Sequence, residues 1–313
     1  MSSGVPFVEQ YRPKKIDDIV LDPINKRILT NIIETSYFPN LLFYGPPGTG
    51  KTTTIINLIN AYQDRLGQRN KELMIHLNAS DERGIDIIRS QISQFVNSKT
   101  LFNVGMKFVI LDEVDYMTKN AQQALRYLLQ TYCGSVRFCL ICNYISRIDE
   151  GLQNEFLRLR FNQLPKEDII KFLSNISDCE SLNISIKSLC LIQKLYGSDI
   201  RSMINFIQSN QNIKDHEFNI IDETVWDALY TKCVNNEQLS DLFVFINDVS
   251  AKYNMDKKNI INSFLNYIIR YEPKHITPDF LKFIEYIIHF EDCKTDYYIN
   301  YSLIRLAYLL KDS

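Results

Sequence analysis

Gly45-Pro46-Pro47-Gly48-Thr49-Gly50-Lys51-Thr52 carries the pattern G-x-x-x-x-G-K-[ST], and each residue type in it answers a need of triphosphate chemistry. Glycines let backbone N–H groups close around phosphate oxygens, a lysine neutralises β- and γ-phosphate charge, and a threonine hydroxyl at this spacing ligates Mg²⁺. A glycine-rich turn without a ligand is the weaker reading. The segment follows the apolar run Leu41-Leu42-Phe43-Tyr44 and precedes the helix-like stretch Thr53 to Ile59, the strand-loop-helix context that phosphate binding requires. A second run, Lys107-Phe108-Val109-Ile110-Leu111, ends in Asp112-Glu113. A buried parallel strand delivers acids to the carboxyl edge of a sheet in this way. Asp112 is expected to hold Mg²⁺ through water, and Glu113 to polarise the attacking water. The alternative is that both acids cap a following helix, where negative charge is favoured. A doubled acid beside an intact phosphate loop points to ATP hydrolysis rather than to simple nucleotide holding or a nucleotide kinase.

The elements that must position these groups follow from hydrophobic periodicity. Apolar runs at 41–44, 73–77, 107–111 and 137–142 read as strands, and the stretches 52–63, 84–96 and 119–131 between them read as helices. Such alternation is the pattern of a parallel α/β sheet. After Pro165 the strand signal stops, and 166–176, 183–196 and 199–209 read as short helices, with Gly197-Ser198-Asp199 as a stop followed by an N-cap. The polar stretch Ser209 to Glu223 reads as a linker. Beyond it, apolar residues recur at intervals of three and four, as in Ile260-Ile261-Phe264-Leu265-Ile268, and Thr277-Pro278 supplies an N-cap and a first-turn proline. This tail is a helical bundle, either closed on its own core or burying a further face against neighbouring subunits.

With 313 residues, 45% hydrophobic and 23% charged, the chain is long enough for two or three packed units and has the balance of a globular protein. A formal net charge of −2 excludes polyanion binding by bulk charge, so a nucleic-acid site must be a local cluster of Lys and Arg. Seven cysteines are scattered; Cys139 and Cys142 form a C-x-x-C inside an apolar run with no second pair at metal spacing, which reads as reduced core thiols. The four histidines form no motif. The first residues, Met1 to Pro6, do not read as a signal peptide, and no apolar stretch approaches the roughly 20 residues of a membrane span, so no membrane partner is expected.

Several stretches narrow the reading further. Val8-Glu9-Gln10-Tyr11-Arg12-Pro13, Leu41 to Thr54, Leu77-Asn78-Ala79-Ser80-Asp81-Glu82-Arg83-Gly84 and on to Arg89, Phe108 to Asp115, and Arg137 to Tyr144 together resemble a small subunit of replication factor C, the eukaryotic sliding-clamp loader. The likeness is to the type numbered three in yeast and five in vertebrates. It runs in family order over residues 7–209, and the helical tail matches the family's collar in position and character.

The resemblance implies an AAA+ fold: a P-loop ATPase domain with a parallel sheet at 1–164, a small helical lid at 165–222 and an all-α oligomerisation collar at 223–313. It implies ATP and Mg²⁺ as ligands, and as partners the other subunits of a heteropentamer, a sliding clamp and primer-template DNA, in the nucleus. Lys51, Glu113, Asn143 and Arg201 would be catalytic, with Asn143 as sensor 1 placing the water and Arg201 as sensor 2 reading the γ-phosphate. Nucleotide would be bound by Val8, Tyr11, Arg12, Ile19 and Val20 around the adenine and by Gly45, Pro46, Pro47, Gly48, Thr49, Gly50, Lys51, Thr52 and Thr53 around the phosphates. Asn143 and Arg201 complete that set, and Thr52 and Asp112 would hold the metal. Leu21 stands where relatives often have glycine. Arg83 and Arg89 match positions that track duplex backbone, where arginines and helix N-termini fix position without reading sequence. Leu101 and Phe102 match the clamp-facing element.

One departure is mechanistic. Relatives carry Gln-Ser-Arg-Cys where this chain has Gln153-Asn154-Glu155-Phe156, and their arginine reaches the neighbouring subunit's transition state. A carboxylate there repels phosphate, so this subunit is expected not to activate its neighbour in the usual way. Two competing functions remain: an ATP-binding structural or regulatory subunit of the same complex with negligible hydrolysis, and another AAA+ remodeller such as a Holliday-junction helicase. The Asn78-Ala79-Ser80-Asp81 stretch argues against the second.

Overall fold

The computed structural model describes residues 4–80, 85–98, 105–132, 134, 136–211, 221–235, 237–253, 255–289 and 295–310, with 85–89 and 295–296 as backbone alone. The chain divides into two compact units, 1–215 and 216–313.

The first unit runs α1 (Phe7–Gln10), α2 (Pro23–Thr35), β1 (Leu41–Tyr44), α3 (Lys51–Arg65), β2 (Met74–Asn78), α4 (Ile85–Asn97), β3 (Lys107–Asp112), α5 (Lys119–Tyr132), β4 (Val136–Cys142), α6 (Glu150–Gln153) and β5 (Leu157–Arg160), then α7 (Lys166–Cys179), α8 (Ile186–Tyr196) and α9 (Ile200–Ser209). The five strands form one sheet in the order β2-β3-β4-β1-β5, and every pairing is parallel. Their carboxyl ends therefore share one edge, where ligands bind in open α/β sheets.

Side chains alternate across this sheet. Leu41, Phe43, Phe108, Ile110, Cys139 and Ile141 pack with Leu29 and Ile32 of α2 and Ile55, Leu58 and Ile59 of α3. Leu42, Val109, Leu111, Phe138, Leu140 and Cys142 pack on the other face with Ile92 of α4 and Leu125, Leu128 and Leu129 of α5. Cys139 and Cys142, three residues apart, consequently point to opposite faces and cannot share a metal ion. Burial pushes the Cys142 thiol up to about 12 and Cys139 higher still.

The helices α1 and α2 have no counterpart in the periodicity reading, although Asp22-Pro23 signals the second. The Asp22 carboxylate accepts from the N–H of Ile24 and Asn25, and Pro23 sits at the first helical position, where its missing N–H costs nothing. The edge strand β5 is too short for its pattern to announce it, and one side chain of α2 blunts it: Asn25 Nδ2 donates to Arg160 O at 2.7 Å. The buried ammonium of Lys107 donates to the carbonyls of Phe95 (2.6 Å), Val96 (3.0 Å) and Ser98 (2.6 Å), satisfying the C-terminal end of α4. As anticipated, Asp199 is the N-cap of α9, its carboxylate accepting from Ser202 N at 3.0 Å.

The second unit is helical: α10 (Glu223–Val234), α11 (Leu239–Tyr253), α12 (Lys257–Tyr271), α13 (Pro278–Ile288) and α14 (Thr295–Leu309). The three-and-four spacing closes on one core, with Leu242, Ile246, Ile260, Phe264, Ile268, Phe280, Leu303 and Leu306 among its buried residues. Polar pairs lie beside it: Tyr267 OH donates to Asp227, and Tyr230 OH lies 2.8 Å from His275 Nε2. Among the described residues no helix is long and apolar enough to cross a membrane.

Candidate functional site: a phosphate-loop cavity closed by helices after the sheet

The loop between β1 and α3 is shaped by glycines, two of them where a side chain would clash. Gly45 has φ 140°, and a Cβ there would stand 1.7 Å from Phe161 O. Gly48 has φ 73°, and a Cβ there would stand 1.7 Å from Asp199 Oδ1. Backbone of the loop is thereby kept bare, which is what a cradle for phosphate oxygens requires. The same contact brings α9 onto the loop, where Ile200 N donates to Gly48 O at 3.2 Å.

Lys51, at the first turn of α3, is buried to 7% exposure. Its Nζ donates to Gly45 O (2.7 Å), Pro46 O (2.8 Å) and Asn143 Oδ1 (3.0 Å). Burial pulls its pKa below the ordinary lysine value, against the opposing charge of Asp112. Thr52 Oγ1 donates to Asp112 Oδ2 at 2.7 Å, so the two residues expected to share a metal already face each other. Burial pushes the Asp112 carboxyl up, but the His76 ring, the Thr52 hydroxyl and the Glu113 N–H outweigh it and hold the group below the usual carboxylate value. Its other oxygen, Oδ1, accepts from Glu113 N at 2.9 Å. Glu113 adopts left-handed backbone, φ 57°, a conformation that an L-residue enters at a cost of about 1–2 kcal/mol. It begins a 3-10 turn without a side-chain cap hydrogen bond, so its carboxylate does not serve as the helix cap considered above.

A cavity of about 220 Å³ gathers these groups. Of the residues expected to meet nucleotide, metal or water, Val8, Tyr11, Arg12, Ile19, Val20, Pro47, Gly48, Thr49, Gly50, Lys51, Thr52, Thr53, Asp112, Glu113, Asn143 and Arg201 line it. Gly45 and Pro46 do not; their carbonyls instead hold Lys51. Arg12 Nε donates to Thr53 Oγ1 at 3.1 Å, joining the segment after α1 to the first turn of α3. Leu21, where relatives often carry glycine, turns into the core beneath α2 and away from the cavity.

Periodicity did not single out Phe172 of α7, or Ile200 and Ile204 of α9, which also line the cavity. In sequence they are ordinary apolar helix positions, and no local signal marks them. Asp115 was likewise missed as a separate group. It is 5% exposed, and its Oδ2 accepts from the N–H of Asn143 (3.3 Å) and Tyr144 (3.2 Å), fixing the end of β4 beside Glu113. Arg83, Leu101, Phe102 and the side chain of Arg89 lie outside the described residues; the Arg89 backbone belongs to α4. Glu155 lies away from this cavity, its Oε1 3.9 Å from Arg126 Nε of α5. Arg147, nearby in sequence, rests against the rings of Tyr144 (5.0 Å) and Tyr116 (5.9 Å).

Comparisons with known proteins bear on the family and the fold. Residues 41–164 match the family described as ATPase family associated with various cellular activities (AAA). The chain is 33% identical to "Probable replication factor C subunit 5" of Dictyostelium discoideum, over 85% of this chain and 79% of that protein. It is 37% identical to "Replication factor C subunit 3" of Schizosaccharomyces pombe, over 79% of this chain and 69% of that protein. Among solved structures, the Thermotoga maritima RuvB Holliday junction branch migration motor aligns over 83% of this chain and 91% of its own, with a TM-score of 0.52 and 14% identity, a likeness of fold alone. An AAA sheet with an intact phosphate loop and acidic strand end, in a chain matching these relatives over most of its length, is an ATPase and belongs to the replication factor C subunit family.

Proposed function

We propose that this chain is an ATP-hydrolysing subunit of a heteropentameric clamp loader that opens a sliding clamp and places it on primer-template DNA in the nucleus. The observation that carries the reading is the convergence of Lys51, Thr52, Asp112, Glu113, Asn143 and Arg201 on one cavity in a member of this family. The bare loop backbone and Lys51 bind and charge-neutralise the triphosphate. Thr52 and Asp112 are the residues that would hold Mg²⁺, which when bound supplies further charge neutralisation at the β- and γ-phosphates. Glu113 takes the proton of the attacking water. Asn143, fixed by Asp115 beneath it, orients that water, and Arg201 places positive charge on the γ-phosphate from α9.

Because α9 touches the loop directly, phosphate occupancy is felt by the helices after Pro165, the stretch 165–222 that acts as the lid. The unit beyond it, 223–313, serves as the collar. Arg83 and Arg89 track DNA backbone, and Leu101 and Phe102 face the clamp. Glu155 opposes rather than supports hydrolysis in the adjacent subunit. The test is reconstitution with the other subunits, clamp and primed circular DNA. Loading should require ATP and fall to background when Lys51→Ala is the only change in this chain with the other sites weakened. A complex that assembles and loads equally well without this chain would refute the assignment.

A further inference from the structure

The helix α1 and the residue after it form one wall of the cavity, and that wall is fastened at both ends to helices more than 160 residues away in sequence. At its start, Phe7 N donates to Gln208 Oε1 of α9 at 3.0 Å. At its end, Tyr11 OH and Gln10 Nε2 both donate to Glu180 Oε1, the latter at 2.9 Å, and Glu180 is the C-cap residue of α7. Gln10 Nε2 also lies 3.3 Å from Tyr11 OH, so the three side chains close a ring of hydrogen bonds. The Phe7 and Tyr11 rings meet edge to face, their centroids 5.8 Å apart. The phenol is therefore held at its hydroxyl by Glu180 and at its ring by Phe7.

That hold matters because Tyr11 lines the 220 Å³ cavity together with Val8, Ile19 and Val20, apolar groups that come from outside the phosphate loop. An aromatic ring among apolar side chains suits a nucleobase. Tyr11 also lines a second cavity of about 630 Å³, shared with Phe172 and Ile176 of α7. Its hydroxyl end is held there by Glu180 and Gln10.

We propose that Glu180 is a positioning residue for nucleobase recognition: through Tyr11 and Gln10 it sets the base-facing wall and ties that wall to α7, while Phe7 ties it to α9, the helix that carries Arg201. The inference rests on the ATP-binding reading and adds a residue that touches neither phosphate nor base. Burial, followed by the hydrogen bond to Glu180 and its charge, pushes the Tyr11 phenol up to about 12, so at neutral pH the hydroxyl is the donor that the arrangement needs.

Isothermal titration calorimetry on the full chain, with ATP and with inorganic tripolyphosphate in Mg²⁺ buffer, tests it. Glu180→Ala should weaken ATP binding by about 10-fold, the scale of losing hydrogen bonds to a charged acceptor, and leave tripolyphosphate within about twofold. Glu180→Gln keeps an acceptor oxygen and should recover most of the ATP affinity. Tyr11→Phe should weaken ATP binding, and adding Glu180→Ala to it should cost less than in the parent, since the two changes break the same bond. Equal weakening of ATP and tripolyphosphate would mean that Glu180 only supports the fold, and unchanged ATP affinity in Glu180→Ala would overturn the inference while leaving the site assignment intact. A parent chain that binds neither ligand would instead remove the nucleotide reading, and this inference with it.

Discussion

Gly48→Ala separates the two jobs of that glycine, bare backbone for phosphate and a seat for α9. With φ 73°, a non-glycine residue costs about 1–2 kcal/mol in the loop itself, whether or not α9 is docked. The added methyl would overlap Asp199 Oδ1 at 1.7 Å and Cγ at 2.4 Å, so the carboxylate must withdraw by well over an ångström to reach ordinary contact. Withdrawal breaks its bonds to Ser202 N (3.0 Å) and Oγ (2.7 Å), a cap worth about 1 kcal/mol. It also loosens Ile200 N to Gly48 O, another ~1 kcal/mol. Docking of α9 should thus weaken by about 2 kcal/mol, which local opening reports as a roughly 30-fold loss of amide protection. Hydrogen exchange of peptides covering 199–209 measures it. In an Asp199→Ala background the cap is already gone, and Gly48→Ala should then cost α9 about half as much. Equal losses in both backgrounds, or unchanged exchange in α9, would refute the claim that Gly48 seats the helix through Asp199.

Three further outcomes are expected. Glu113→Gln should leave ATP binding intact and slow hydrolysis at this site by roughly 10²-fold, read by single-turnover measurement in a complex whose other sites are disabled; equal turnover would favour the non-hydrolysing alternative. Arg83→Ala with Arg89→Ala should weaken DNA binding of the assembled complex alike for all sequences and reduce its salt dependence by roughly one to two counterions, so an unaltered slope would return both to ordinary surface charges. Glu155→Arg should raise hydrolysis in an adjacent catalytically intact subunit, by up to about 10³-fold if the guanidinium reaches the γ-phosphate. The family's cysteine should not be restored with it. Phe156 is 8% exposed and packs with Leu152 in the core under α5, and truncating such a residue costs about 3–5 kcal/mol.

The chemistry of the site was legible in the chain because it is local. Gly45 to Gly50 is one turn between a strand and the helix that Lys51 and Thr52 open, and phosphate chemistry is enough to make its residue types recognisable. Asp112-Glu113 and Asn143 end runs whose apolar character alone makes them buried parallel strands, and parallel strands put their ends on one edge. Strand and helix limits fell within a residue or two of the periodicity from β1 to β4, as in α4 and α5, whereas α7 runs three residues beyond its expected end and α8 starts three residues after its expected start. Asp199 was recognisable as a cap for the same local reason.

What sequence could not supply depends on pairs far apart in the chain. Nothing around Glu180 says that it meets Tyr11, and nothing around Gly48 says that Asp199 occupies the space of its missing side chain. Phe172 and Ile204 look like core positions until the packing of α7 and α9 turns them toward the cavity. Periodicity tells which face of an element is apolar, whereas the partner of that face is chosen by how all the elements fill space together. The residues that bind and react were therefore written into short stretches of the chain, while the walls that orient them arose only when those stretches packed against one another.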